Sequence, residues 1–272
     1  MKREWLHPYC DPFNTNFSPQ EEITRQNASG LKVIWTSEIS PSVPDPGRMW
    51  NQRQVGVQTT PLVIDGAVYV GDGYHIIHAF DAEDGRKLWS FDSMSMVKRR
   101  QTALLSLNSK DGVLYFIAAD MTLYGLDPKD GRVVKSFRGL ADQVPGVAAG
   151  AGYSGETAPS FFRGSAVFGA ATQGITVPQF SGRGVSENYY AASARGFVGS
   201  LDTEKGKIDW MWFPVPPAKK GPKGWHTQAR KGNMLPYPND WGKSDRIGGG
   251  GLWGTAVVDE AAQRVYLGTG NS

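Results

Sequence analysis

Short apolar runs rich in β-branched and aromatic residues recur along the chain, and each pair of runs is joined by a turn. The clearest pair lies in residues 61–71, where two apolar halves flank Asp65-Gly66. Runs of this length and composition indicate β-strands, and an Asp-Gly connection indicates a hairpin. The same pattern predicts hairpins at 105–118 turning at Asp111-Gly112, at 160–170 turning at Arg163-Gly164, and at 255–268 turning at 259–263.

A second kind of hairpin follows the first and forms an internal repeat. Its copies occupy 78–89, 124–134 and 199–210. In each copy a strand ends at an Asp, a Gly closes the turn, and the next strand carries Lys or Arg with large apolar residues. Asp can accept backbone hydrogen bonds across the turn and Gly supplies a positive φ, so this repeat indicates a structural turn and not a catalytic motif.

Two successive hairpins make a four-stranded antiparallel unit of about 45 residues, the size of a propeller blade. The sequence therefore predicts an all-β fold, a β-propeller of which this chain covers about three and a half blades. We expect a single partial propeller domain over 1–272. Its parts are an N-terminal segment and closing strand at 1–36, blades at 55–91, 102–137 and 157–213, a long loop at 214–251, and the start of a fourth blade at 252–272.

The N-terminal segment carries two further signals. Ser18-Pro19-Gln20-Glu21 has the form of a helix start, with Ser as N-cap and Pro at the first helical position. Residues 31–35 read as an outer strand without a hairpin partner of its own. Because an open row of blades leaves exposed sheet edges, we expect the natural chain to continue beyond Ser272.

Composition and charge narrow the class of function. The chain has 272 residues, a net charge of +3 and one cysteine, Cys10, which excludes an internal disulfide. The basic residues at 219–223 lie among Pro and Gly and predict a solvated loop, so no nucleic-acid partner is expected. No apolar run reaches membrane-spanning length, and no apolar region follows the basic start at Met1 to mark a signal peptide.

The chain resembles the alcohol and methanol dehydrogenases that depend on pyrroloquinoline quinone (PQQ). The similarity lies in the opening from Asp11 to Trp35, in the repeats with Trp89 and Trp210, which look like tryptophan-docking repeats with Phe137 as a departure, and in Gly248 to Gly254 followed by 266–271. The resemblance implies an eight-bladed propeller in the periplasm or another extracytoplasmic location. It also implies oxidation of an alcohol or sugar, with an Asp as base, hydride transfer to PQQ, Ca²⁺ or a lanthanide as Lewis acid, and a cytochrome-type electron acceptor.

The resemblance also assigns candidate site residues. Trp253, among glycines that include Gly251, is the expected stacking platform for the flat quinone, although it could instead be one more blade-packing tryptophan. Arg100 matches an Arg that pairs with the cofactor's carboxylates, while Gln58 and Thr157 match polar groups facing the quinone. Asn271 matches a ligand of the metal ion. The family's catalytic Asp comes after Asn271, so no catalytic residue is expected within this chain.

Two departures from the family pattern are visible. The vicinal cysteine pair that often precedes the matching Arg is replaced by the segment 95–99, so that disulfide cannot form. The family's metal-ligating Glu is matched by Ala191, and Glu187 is the candidate substitute. These departures keep two alternatives open: a non-catalytic propeller scaffold for protein–protein interaction, and a degenerate relative without activity. The sequence at Gly248 to Trp253 and at Asn271 favours the enzyme.

Overall fold

A computed structural model describes residues 4–39, 57, 59–94, 103–140, 153–155, 157–172, 196–214, 225–226 and 250–270. The chain forms two compact units. The first comprises 1–116 with 124–135, and the second comprises 117–123 with 136–272. The described secondary structure is β-sheet apart from one short 3-10 helix, Ala28–Gly30.

The first sheet belongs to the first unit and has four antiparallel strands in chain order. The β-branched and aromatic residues of its first three strands are largely buried, whereas the fourth strand is half exposed and has no fully buried residue. Trp5 pairs with Val63 at the outer edge of the first strand through two backbone hydrogen bonds of 2.8 and 3.0 Å. The strands are β1 (Leu62–Ile64), β2 (Ala67–Gly71), β3 (Ile76–Asp81) and β4 (Lys87–Asp92).

The second sheet repeats this arrangement, again with four strands in chain order. Its strands are β5 (Leu105–Asn108), β6 (Val113–Ile117), β7 (Leu123–Leu126) and β8 (Val133–Phe137). Strand β7 is buried along its whole length, and β8, like β4, is half exposed. Stacked Phe116 and Tyr124 rings, 5.4 Å apart between centroids, contribute to the apolar core of the first unit.

The second unit contains a larger sheet and the beginning of another hairpin set. The larger sheet has the order β10–β14, and β9 pairs with β11. Strands β15 and β18 pair with each other, as do β16 and β17. The strands are β9 (Tyr153–Ser154), β10 (Ser160–Phe162), β11 (Ser165–Thr172), β12 (Phe197–Asp202), β13 (Lys207–Trp212), β14 (Trp225–His226), β15 (Gly251–Leu252), β16 (Val257–Asp259), β17 (Arg264–Tyr266) and β18 (Thr269–Gly270).

The predicted turn chemistry is confirmed at the repeated Asp and Gly positions. In the first repeat the Asp81 carboxylate accepts the Glu83 amide at 2.9 Å, and the Gly85 amide donates to the Asp81 carbonyl at 3.0 Å. The closing glycines adopt φ between +65° and +74° at Gly85, Gly131 and Gly206. These values explain why Gly stands there, since a Cβ disfavours the left-handed region.

Aromatic residues dock on these closing glycines. Trp35 lies against Gly85 and Trp89 against Gly131, so close that an added Cβ at either glycine would be 2.5 Å from a ring atom. The Trp89 indole N–H donates to the Pro128 carbonyl at 2.9 Å. Phe137 docks on Gly206 more loosely, at 3.3 Å from the same hypothetical Cβ. The Trp-to-Phe departure therefore keeps the docking contact but has no indole N–H to donate.

The structure corrects one prediction for the N-terminal segment. No helix begins at Ser18: its hydroxyl accepts the Gln20 amide at 3.3 Å, which closes an isolated turn. The segment's short helix is the 3-10 turn at 28–30, which follows the hydrogen bond from the Thr24 amide to the Asn27 side chain. Residues 31–35 pair with none of the described strands, and Val33 and Ile34 are about four-fifths exposed. The closing strand expected there therefore stays a prediction.

Strands β2 and β3 are joined by a turn that holds a buried polar network. One carboxylate oxygen of Asp72 accepts the amides of Tyr74 and Ile76 at 2.8 and 2.9 Å. The other carboxylate oxygen lies 3.2 Å from Nε2 of His78, whose Nδ1 lies 3.2 Å from the exposed Ser90 hydroxyl. Asp72 is fully buried and His78 nearly so. Both carboxylate oxygens thus have hydrogen-bond partners within the protein. A buried carboxylate requires such partners because it has lost its hydration.

His7 is a buried titratable group outside this network. Its ring is 7% exposed, and its Nδ1 accepts the Tyr9 amide at 3.4 Å. Burial lowers the pKa of His7 to about 4, and the nearby Asp11 carboxylate opposes this shift only in part. The folded protein therefore binds a proton at His7 less readily than the unfolded chain does.

We expect His7 to make folding sensitive to mild acid. Its lowered pKa means that its contribution is fully present above the unfolded value of 6.5 and is lost as the pH falls toward 4. Between pH 7 and pH 5 the loss is about 2 kcal/mol, since each pKa unit is worth about 1.4 kcal/mol. Urea unfolding of the complete protein at both pH values should show this loss, and His7→Gln should remove it. If the free energy of unfolding of the unaltered protein and that of His7→Gln change equally between pH 7 and pH 5, the prediction is wrong.

Candidate functional site

The candidate site is built on the short strand β15 and the residue that follows it. Gly251 pairs with Gly270 and Leu252 with Thr269 in the β15–β18 ladder. Leu252 is buried at 1% exposure and packs in an apolar cluster with Val167, Val198 and Ala256. The strand therefore anchors the chain immediately before Trp253.

Trp253 projects from this anchor and remains accessible. The residue is 40% exposed, whereas Gly251 and Leu252 before it are buried. Gly270 borders the indole: a Cβ there would lie 3.4 Å from Cδ1 and 3.8 Å from Nε1 of Trp253. Because glycine has no side chain to cover the ring, the indole keeps an open apolar surface. This arrangement fits a flat aromatic ligand, which is the chemistry expected of PQQ.

Thr157 begins the segment that supports the residues after Trp253. It is 2% exposed, and its hydroxyl oxygen accepts the Gly169 amide of β11 at 3.3 Å. The Ala158 amide donates to the Thr255 hydroxyl at 3.3 Å, and the Ser160 hydroxyl donates to the Ala256 carbonyl at 2.7 Å. These bonds tie the start of β10 to the residues after Trp253. This support could not be predicted from the sequence, because the two segments are far apart in the chain.

Several predicted site residues lie outside the described residues: Gln58, Arg100, Glu187, Ala191 and Asn271. Among the residues that are described, no three His, Cys, Asp or Glu side chains come together as a metal site. The same residues include no helix with the length and apolar character needed to cross a bilayer.

One protein-family model matches almost the whole chain. Residues 5–272 match the family described as "Glucose/ethanol/alcohol dehydrogenase, beta-propeller domain", abbreviated PQQ. The dehydrogenase subunit of the alcohol dehydrogenase (quinone) of Gluconacetobacter polyoxogenes is 30% identical over 261 residues, which are 94% of this chain and 31% of that protein. The chain thus spans about a third of the curated relatives it matches.

Solved structures show the same fold. The crystal structure of quinohemoprotein alcohol dehydrogenase from Comamonas testosteroni matches with a TM-score of 0.65 at 22% identity, over 98% of this chain and 35% of that chain. A europium-containing methanol dehydrogenase matches with a TM-score of 0.68 at 18% identity, over 98% and 42% of the two chains. The predicted all-β propeller, covered in part, is therefore confirmed, and the chain belongs to the PQQ-dependent glucose/ethanol/alcohol dehydrogenase β-propeller family.

Proposed function

We propose that this chain forms the cofactor-holding part of a PQQ-dependent alcohol oxidoreductase, within a single partial propeller domain. The accessible indole of Trp253, held between the buried Leu252 and the bare edge of Gly270, carries the proposal. A blade-packing tryptophan of the kind seen at Trp89 sits on a closing glycine and donates its indole N–H to a carbonyl. Trp253 differs from that pattern because much of its ring is exposed, which suits stacking on a ligand.

Each proposed cofactor-binding residue has a chemical role. Trp253 would contact one face of the quinone, with Gly251 allowing close approach. Arg100 would pair with a carboxylate of the cofactor, since its guanidinium fork matches that geometry. Gln58 would offer an amide to the same ligand, and Thr157 a hydroxyl, although the latter accepts a bond from the Gly169 amide. When bound, PQQ supplies a two-electron acceptor for the hydride of an alcohol or sugar.

We assign the metal ion to Asn271 and Glu187. A side-chain amide oxygen and a carboxylate are ligands that hard cations such as Ca²⁺ prefer. A lanthanide is the second candidate because a similar methanol dehydrogenase contains europium. Ala191 cannot ligate a cation, so Glu187 supplies the negative charge in this assignment. For the whole protein, we further propose a catalytic Asp as base and a cytochrome-type protein as electron acceptor. The proposed location is the periplasm.

The stacking role of Trp253 is tested by PQQ binding to the complete protein. We expect Trp253→Ala to weaken binding about 10–100-fold, because stacking on an aromatic side chain is worth about 1–3 kcal/mol per ring. Equilibrium dialysis of PQQ, with and without added Ca²⁺, measures the affinity directly. Trp fluorescence alone is unsuitable as the main readout because the chain has nine Trp.

Tyr266→Ala is the matched control. Tyr266 is a 48% exposed aromatic residue on β17, which pairs with β16 and not with β15, so its removal also deletes exposed aromatic surface. The control should bind PQQ like the unaltered protein. If Trp253→Ala and Tyr266→Ala bind equally well, Trp253 is not the platform. If the folded complete protein binds no PQQ under any condition, the scaffold alternative replaces the enzyme.

A further inference from the structure

We propose that Gly196 and Gly169 are positioning residues that set the place of Trp253, an inference that rests on the proposed cofactor-binding function. The atoms nearest to an added Cβ belong to Leu252 at Gly169 and to Gly250 and Gly251 at Gly196, and not to Trp253. Gly169 lies in β11 and Gly196 directly precedes β12, and an added Cβ at either glycine would meet the segment 250–252 that leads to Trp253. Both positions require glycine because the segment 250–252 lies so close to them that neither has room for a Cβ.

Gly196 makes the tighter of the two approaches. A Cβ on Gly196 would fall within 3.0 Å of the carbonyl carbon and oxygen of Gly250 and of Cα of Gly251. Real Cβ atoms do not approach other atoms so closely, and here the obstacle is backbone, which cannot rotate away as a side chain can. Gly250 itself adopts φ +70°, so the chain is turning at this point of contact.

The sheet cannot yield to relieve such a clash. Gly196 directly precedes β12, whose first residue, Phe197, is fully buried and pairs with Ala170 of β11. Val198 then pairs with Trp212 on the other side. Because β12 is held on both edges, a side chain at Gly196 would displace the segment 250–252 and not the strand. The displaced segment carries Trp253 with it.

Gly169 acts one step further along the same segment. A Cβ there would meet Cβ, Cγ and Cδ2 of Leu252, all within 3.0 Å. Leu252 is the buried anchor of the platform, and the Gly169 amide is fixed by its hydrogen bond to Thr157. Gly169 thus lets the Leu252 side chain lie directly on the backbone of β11. How closely Leu252 packs there sets the position of Trp253, the next residue in the chain.

The test is a double-variant comparison of PQQ affinity in the complete protein. Gly196→Ala should weaken PQQ binding about 10-fold or more, whereas Gly268→Ala should leave it unchanged, because a Cβ at Gly268 meets nothing within 4 Å. If Gly196 acts through Trp253, then Gly196→Ala combined with Trp253→Ala should bind no more weakly than Trp253→Ala alone. Losses that multiply in the combined variant would overturn the inference.

A second variant covers the case in which Gly196→Ala does not fold. Leu252→Ala removes the anchor without inserting any atom, and its effect on PQQ affinity should likewise vanish in the Trp253→Ala background. Multiplying losses here count against the inference as well.

Amide exchange of residues 251–253, measured without PQQ, separates this inference from the proposed function. Gly196→Ala, or Leu252→Ala if the former does not fold, should raise that exchange relative to Gly268→Ala. If exchange is faster in Gly196→Ala or Leu252→Ala but Trp253→Ala binds PQQ with unchanged affinity, the positioning contact is supported and the stacking function of Trp253 is wrong. Unchanged exchange removes the positioning role.

Discussion

Replacing Asp72 with alanine is expected to lower the free energy of unfolding by about 3–5 kcal/mol, because three groups lose their buried hydrogen-bond acceptor. The Asp72 carboxylate is fully buried and satisfies the amides of Tyr74 and Ile76 together with Nε2 of His78. Alanine would deprive all three groups of this acceptor at a buried site. Each such loss costs about 1–3 kcal/mol.

Two milder variants define how the network works. Ser90→Ala removes only its exposed outer end and should cost about 1 kcal/mol or less. Asp72→Asn keeps an acceptor for the two amides, and the His78 imidazole can exchange donor and acceptor roles between its ring nitrogens, so its cost should also stay near 1 kcal/mol. Amide exchange at Tyr74 and Ile76, together with urea unfolding, measures these effects. A loss as small for Asp72→Ala as for Ser90→Ala would contradict the account.

Replacing Gly131 with alanine is expected to cost about 2–4 kcal/mol. Part of this cost, about 1 kcal/mol, comes from placing a Cβ on a residue with φ +73°. The larger part comes from the Trp89 ring, which an added Cβ would approach to 2.5 Å. Trp89 cannot withdraw easily, because its indole N–H donates to the Pro128 carbonyl at 2.9 Å.

Gly112→Ala separates the two contributions. Gly112 belongs to another turn of the same sheet and has φ +68°, but a Cβ there meets nothing within 4 Å. It should therefore show the backbone cost of about 1 kcal/mol alone. The difference between the variants, read from thermal unfolding of the complete protein, gives the value of the docking contact. Equal losses for Gly112→Ala and Gly131→Ala would mean that the docked Trp89 adds nothing.

The turns could be predicted from the sequence because their determinants are local. Asp65-Gly66 and Arg163-Gly164 each have two successive positive φ values, as an Asp-Gly or Arg-Gly hairpin turn requires. Ser18 shows the limit of such reasoning: its capping pattern is present, but nothing in the described structure packs against a helix there, and Phe17 and Ile23 are exposed. A capping pattern without an apolar contact does not sustain a helix.

The support of the candidate site could not be predicted in the same way. The contact of Gly196 with Gly250 joins residues on separate elements, and no local pattern specifies which strand a glycine will face. One signal was available, since Gly169 interrupts an otherwise apolar strand, and an isolated glycine in a strand often marks a close approach. Trp253 could be singled out because an aromatic residue flanked by glycines is unusual for a packed position.

Each docking aromatic residue precedes its glycine in the chain, and this order sets the sequence in which the sheets can assemble during synthesis. Trp89 leaves the ribosome before Gly131, and Phe137 before Gly206, so each sheet presents a finished aromatic surface to a turn that has not yet been made. Neighbour-to-neighbour contacts of this kind allow folding to spread along a repeat array. We expect the nascent chain to assemble one sheet at a time. If translation stalls, the sheets already made should be docked on one another, and the last of them should expose the single aromatic ring that awaits its glycine.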